Sequence, residues 1–361
     1  MFCMSYMEIP CKNYKVIIEE PQLYVDNKSR GRSGHMTHAL AEFAPGCFID
    51  FNSNCSAVRW SGHSPYGWVE YRISKDCGKT YSETKALPYS VDCFKDGLHM
   101  ISVEKAVACD DGTIVAFCLR NDGLGPTCCE PWDTPRYVIS RDGGETWSAP
   151  AEFSPYKGRT YAALYHDGRI YALHLCNERF TGKDETHLFR IYCSDDNGAS
   201  FYEHCVVPIE PIGKNYGAMI FDNSGVFHVY CHNDNDNFSM DHAISYDCGS
   251  TWTVCEPCKM EKGIRNPQVA LLDGVFLLHA RTEDYSGFVL YTSEDGYCWD
   301  EGTLIVANKG AAAFYSNNLN LTDEKGNFLL VQYSDRYVSE QFPEPPNCRV
   351  NVMHMNLRIK K

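Results

Sequence analysis

The sequence predicts an all-β chain folded as a six-bladed β-propeller, one domain spanning residues 1–361. Three observations predict it. An eight-residue phrase, Ser-x-Asp-x-Gly-x-Thr/Ser-aromatic, recurs along the chain. A pair of short apolar runs joined at a glycine recurs with it, and no segment carries convincing helical periodicity.

The phrase occupies residues 74–81, 140–147, 194–201 and 245–252, with a worn copy, one residue short, at 293–299. Its Ser and Asp side chains bond turn amides, its Gly supplies positive φ, and its aromatic is expected to bury beneath the turn, so each copy joins two strands. The serines recur every fifty to sixty residues or so, a period that suits four-stranded blades better than a helical repeat.

Blade by blade, the turn glycines are Gly46, Gly112, Gly168, Gly225, Gly274 and Gly326, which makes six blades. The first strand of each blade (A) precedes its glycine, at 36–43, 105–109, 161–165, 218–221, 268–272 and 317–321. The second (B) follows, at 47–51, 113–119, 169–175, 226–230, 275–279 and 327–332. The sixth blade has no copy of the phrase. A spare run at 14–18 is expected to close the ring by pairing with that blade beside residues 349–353, covering an edge that would otherwise stay open.

Composition narrows the function classes. The net charge is −14 with no basic cluster beyond the last four residues, which argues against a nucleic-acid partner. No run of 18 apolar residues is present to span a membrane. The first residues lack the basic and apolar regions of a secretory signal, and the 19 cysteines are odd in number and scattered through strands. Reduced thiols in a cytoplasmic protein are the expectation. Cys255 and Cys258 form a lone CxxC with no second pair at zinc spacing, which reads as strand-end packing; no metal and no cofactor are expected.

In a propeller the A strands line the channel, and A-strand starts share one face with B-strand ends. The A-strand starts present His35, His38, Glu104, Arg159, Tyr161, Tyr216, Arg265 and Tyr315. The B-strand ends present Asn52, Asn54, Arg120, Asn121, Asn177, Arg179, Asn233, Asp234, Arg281, Asp335 and Arg336. Such a set suits an acidic sugar, since Arg forks bind carboxylates and Tyr, His and Asn bind hydroxyls. Arg265 and Arg281 bracket the fifth blade, so two guanidinium groups can hold one carboxylate.

The repeated phrase resembles the Asp box (BNR repeat) of the sialidases and their relatives, and at repeat level the resemblance covers most of the chain. It implies a carbohydrate partner and an exo-glycosidase acting on an acidic sugar. The segment from Glu104 to Arg120 resembles the strand pair that carries a sialidase's catalytic Glu and one Arg of its carboxylate triad. Ala313-Phe314-Tyr315-Ser316 resembles the segment whose Tyr is the nucleophile, with Glu104 as its base. The motif of the first triad Arg is absent, leaving Arg32 or Arg59 in its place. Between Asn52 and Gly67 there is His63 but no Asp, so His63 and the nearest carboxylate, Asp50, are the acid/base candidates. His35, His38, Tyr161 and Tyr216 complete the expected sugar-binding set, and of the roles open to the three His, acid/base work is favoured over metal binding. A polysaccharide lyase, another hydrolase using His and Tyr, or a non-catalytic sugar-binding propeller remain alternatives, and the oligomeric state is left open.

Overall fold

A computed structural model describes residues 7–59, 64–123, 130–179, 187–284, 287–307, 314–335 and 348–361. Their strands form six antiparallel sheets, each a blade. The A strands are His38–Ala44, His99–Ala108, Gly158–His166, Lys214–Phe221, Arg265–Leu272 and Ser316–Asp323. Each lies beside the A strands of the neighbouring blades, and the sixth lies beside the first, which closes the ring. The B strands are Cys47–Ser56, Ile114–Asp122, Arg169–Cys176, Phe227–Asn233, Val275–Arg281 and Gly326–Ser334. The predicted glycine separates or begins the strand pair in each blade, and all six glycines have positive φ. Around the axis the A strands enclose a channel of about 510 Å³.

The third strands (C) of the first five blades end on the serine of the recurring phrase, at Ser74, Ser140, Ser194, Ser245 and Ser293. The turn is built the same way in the first four blades, while in the fifth Asp295 accepts from the Tyr297 and Cys298 amides and the phrase has no Thr or Ser after its glycine to donate a hydroxyl. In the second blade Ser140 Oγ donates to Asp142 Oδ1 at 2.8 Å and accepts from Gly144 N at 2.8 Å. Asp142 in turn accepts from Thr146 N at 2.9 Å and Thr146 Oγ1 at 2.5 Å. These bonds hold the Asp142 carboxyl down at about 2, and the same bonds from Thr251 hold Asp247 there.

The closing aromatic reaches sideways as well as down. Trp147 of the second blade donates through Nε1 to the Tyr71 hydroxyl of the first at 3.1 Å, and Phe201 of the third packs on Phe117 and Tyr137 of the second. Trp299 of the fifth packs on Tyr230 of the fourth. These turns therefore staple a blade to its predecessor.

The ring closes with both ends of the chain. Lys15–Ile18 pairs with the sixth blade's C strand, Val352–Lys360, matching Ile18 to Leu357 and Lys15 to Lys360. The expected partner region, 349–353, is taken in part by another N-terminal strand, Gln22–Val25, which pairs at 352–354. Val16 and Ile18 are fully buried in the cluster that joins blades five and six, so closure is also a packing event.

One element runs against expectation. Pro88–Asp96 is an α-helix between the first and second blades, with Pro at its start and Gly97 in the left-handed conformation at its end. Only Ser90 of the helix is buried, so it carries too narrow an apolar face to show as periodicity.

Candidate active site

The side chains that line the axis are aimed by a repeated backbone device. In the second blade Lys105 pairs with Phe117 and Val103 with Cys118, leaving Glu104 as the extra residue of a bulge. The third blade bulges at Tyr161, between Thr160 and Ala162, and the fourth at Tyr216, between Asn215 and Gly217. The fifth bulges between Arg265 and Gln268. Tyr216, Asn266 and Phe314 hold positive φ of 45°, 56° and 64°. Bulges re-aim side chains, and unfavoured φ persists where the surroundings enforce it; both mark functional sites.

Glu104, Arg159, Tyr161 and Tyr315 line one small cavity together with Met36, His38, Lys105, Asn266, Gln268 and Ser316. Its volume is about 20 Å³, room for a water molecule rather than a sugar ring. Arg159 donates to Glu104 Oε2 through Nε at 2.9 Å and Nη2 at 2.7 Å, both side chains being almost wholly buried. The rings of Tyr161, Trp132 and Tyr216 surround that guanidinium at 5.2, 5.7 and 6.0 Å. Glu104 Oε1 and the Tyr161 hydroxyl are buried and have no hydrogen-bond partner among the described residues.

Tyr315 sits at the same cavity, its hydroxyl 3.2 Å from that of Tyr216 and its ring 4.7 Å from the ring of His35. The Arg281 guanidinium stands over the Tyr315 ring at 5.0 Å. Arg265 is the direct cross-strand partner of Arg281, and its Nη2 lies 3.5 Å from Asp234. Burial, reinforced by the charges of these two arginines, lowers His232 to about 3 and leaves it neutral beside them.

Below the cavity the Lys105 amine donates to Gln268 Oε1 and, at 3.0 Å, to Asn317 Oδ1. Burial lowers this lysine to about 7. Lys105 and Gln268 line both the small cavity and the axial channel, so they form the partition between them.

Several expected residues lie elsewhere. Arg120 is held by Asp133 at 2.9 Å, by Thr134 and, at 3.1 Å, by His99 Nε2, and it does not join Glu104. The carboxylate paired with an arginine here is Glu104 with Arg159, from the next blade. Arg59 donates to the Gly123 carbonyl at 2.7 Å and stacks on Tyr66. Asp50 is fully buried between the first and sixth blades, bound by the Gln332 amide and 2.9 Å from His354 Nε2; burial raises its carboxyl, and it does not reach the cavity. His38 does line the small cavity, but both of its ring nitrogens are engaged, Nδ1 with Gln332 at 3.2 Å and Nε2 with the His35 carbonyl at 3.0 Å, and burial lowers it to about 4. His63 and Arg336 lie outside the described residues. Among the described residues no three His, Cys, Asp or Glu side chains converge as metal ligands, and no described cysteine is in a disulfide.

Two residues that carry the geometry were not expected to do so. Arg159 stood at an A-strand start without an assigned role, and Lys105 had none. A basic residue placed next to an inward-facing acid, as in Glu104-Lys105, is the one trace of this in the sequence.

No protein-family model matches the chain, and no curated protein does. Solved structures do. A protein of unknown function from Dyadobacter fermentans superposes with a TM-score of 0.69 at 17% identity, over 96% of this chain and 99% of that one. A Hadza microbial sialidase matches with a TM-score of 0.66 at 14% identity, over 95% of this chain and 68% of that one. The Trypanosoma rangeli sialidase, solved with 2,3-difluorosialic acid as a covalent intermediate, matches with a TM-score of 0.62 at 10% identity, over 97% of this chain and 59% of that one. At these identities the likeness is one of fold: the chain is built on the six-bladed propeller that these sialidases share.

Proposed function

We propose that the protein is an exo-acting glycosidase of sialidase-like type that cleaves an acidic sugar with Tyr315 as nucleophile. The observation that carries this reading is the convergence on one cavity of the Tyr315 hydroxyl and the Glu104 carboxylate, with Arg281 over the tyrosine and Arg265 opposite Arg281. The cavity is too small for the sugar, so the ring rests above it with its carboxylate on the two arginines.

A phenol with an ordinary pKa near 10 is scarcely ionised at neutral pH and needs a base. Among the described residues Glu104 Oε1 is a buried acceptor without a partner, and the cavity that it lines with Tyr315 has room for a water to relay the proton. The phenolate oxygen then bonds to the anomeric carbon. The bond from that carbon to the leaving oxygen breaks with its electron pair, and the leaving oxygen takes a proton from water. The hydroxide left by that water then attacks the anomeric carbon and expels the Tyr315 phenolate, and Glu104 returns its proton to the phenolate, which restores both residues.

The hold of Arg159 on Glu104 favours a second reading, in which the carboxylate is neutralised and the propeller binds acidic sugars without cleaving them. Incubation with fluorogenic α-sialosides and uronides separates the two. The first reading expects turnover of at least one acidic glycoside. It also expects Tyr315→Phe and Glu104→Gln each to lose most of that turnover, with the double variant little worse, because residues that act as a unit are non-additive. Binding without turnover across the panel would establish the second.

A further inference from the structure

Blade four places a phenol against the nucleophile where a carboxylate would repel a phenolate. Tyr216 and Tyr315 are both buried, with their oxygens 3.2 Å apart, and either can donate. Once Tyr315 has lost its proton only Tyr216 can, and the bond becomes charge-assisted.

The backbone is shaped for this contact. Tyr216 is the unpaired residue of its bulge, with φ at 45°, a region that non-glycine residues seldom occupy. The bulge is fastened on both sides. Asn215 Oδ1 lies 2.7 Å from His232 Nδ1, and His232 Nε2 lies 2.6 Å from Asn237 Oδ1. On the other side, Gly217 seats against the third blade, where a Cβ would lie 2.4 Å from Leu173 Cδ2. The Tyr216 ring is fixed between Tyr161 and His232, at 5.4 and 5.8 Å. Strain held this firmly at one side chain is the mark of a residue kept in place for a task.

We propose that Tyr216 is a positioning residue for the nucleophile: from its strained bulge it donates a hydrogen bond to the Tyr315 oxygen and stabilises that oxygen as a phenolate. The inference rests on the reading of Tyr315 as nucleophile. Tyr216 keeps its own proton throughout; the proton that leaves Tyr315 goes to Glu104. Among the described residues, the other charged or titratable groups at Tyr315 include Arg281 from blade five, Arg159 and Tyr161 from blade three, Glu104 and Lys105 from blade two, and His35 and His38 from blade one. Arg281 and Arg159 favour the phenolate and Glu104 opposes it, so the contribution of Tyr216 has to be isolated by substitution.

The test is an NMR pH titration of protein labelled at the tyrosine ζ carbons, with the Tyr315 signal identified by its loss in Tyr315→Phe. The native Tyr315 is expected to ionise below pH 10. In Tyr216→Phe its ionisation should move up by about one to two pH units, the tenfold to hundredfold of a hydrogen bond to a charged group. In the same variant kcat falls on the neutral side of the pH profile, with KM little changed. The same titration in native protein and Tyr216→Phe would overturn the proposal. A native Tyr315 that titrates at or above pH 10 overturns it without any variant. Should Tyr315→Phe be inactive while Tyr216→Phe leaves the titration unmoved, the nucleophile stands and the role of Tyr216 is removed; full activity in Tyr315→Phe removes the nucleophile itself.

Discussion

Removing Arg159 is the perturbation whose cost the structure allows to be worked most closely. Its guanidinium makes two bonds, of 2.9 and 2.7 Å, to one oxygen of Glu104, and the two side chains are 6% and 8% exposed. Solvent screening is therefore weak, and Arg159→Ala leaves a carboxylate buried without its counter-charge, a change that costs about 3–5 kcal/mol. Loss of the contacts with the three surrounding rings adds roughly 0.5–2 kcal/mol. The double variant Arg159→Met/Glu104→Leu removes both charges and fills similar volume, so it should lie within about 1–2 kcal/mol of native. The assay is equilibrium urea unfolding at pH 7 of native protein, Arg159→Ala, the two single variants Arg159→Met and Glu104→Leu, and their double. A coupling of several kcal/mol is expected, because the single losses do not add. An Arg159→Ala variant that loses less than about 1 kcal/mol, or a double variant as unstable as the sum of the singles, would refute the idea that this buried pair holds blades two and three together at the site.

Two further outcomes are expected. Arg281→Ala and Arg265→Ala should each weaken a competitive acidic-sugar inhibitor by about 1.5–3 kcal/mol, the range for hydrogen bonds to a charged group, while Arg120→Ala and Arg59→Ala, whose arginines are engaged elsewhere, leave it unchanged; inhibition constants for the four variants decide this. Stability should also fall as the pH is lowered from 7. Burial lowers His38 and His174 to about 4, and His232, His242 and His279 to about 3. Below the unfolded-state value of about 6.5 the unfolded chain binds protons that the folded one refuses, so each histidine removes stability with a slope approaching 1.4 kcal/mol per pH unit. Asp142 and Asp247, held at about 2, act in a lower window: their contribution is present above the ordinary 3.8 and is lost as the pH falls through 2. Urea midpoints that stay flat between pH 7 and 5 would contradict the histidine assignment.

The architecture was legible because its signals are local. Each turn glycine and each Ser-Asp-Gly-Thr turn is a short-range device, and a period of similar spacing reports the blade count directly. The helix at Pro88–Asp96 was marked only by its Pro and Gly ends, since a nine-residue helix with one buried side chain has almost no periodicity to detect. The site was half legible. A-strand starts could be named, but a bulge inserts one residue and resets the alternation, so no pattern says that Glu104 or Tyr216 is the residue turned to the axis. Pairing across blades left no trace either: Glu104 meets Arg159, 55 positions on, whereas Arg120, its neighbour in the same blade, is taken by Asp133 and His99. Asp50 was drawn toward the site by its place in the chain, yet the strand Cys47–Ser56 is buried on both faces over nearly its whole length, and an acid there needs an interior partner, which His354 supplies.

The central claim, that Tyr315 attacks an acidic sugar, is tested most directly by trapping the covalent intermediate. A fluorinated acidic glycosyl fluoride, matched to whichever glycoside the fluorogenic panel shows to be cleaved, slows breakdown of the intermediate more than its formation. The account predicts a mass increase of one glycosyl group on the intact protein, located by peptide sequencing on Tyr315 and absent from Tyr315→Phe. An adduct on another residue, or none under conditions in which the parent glycoside is turned over, would contradict it.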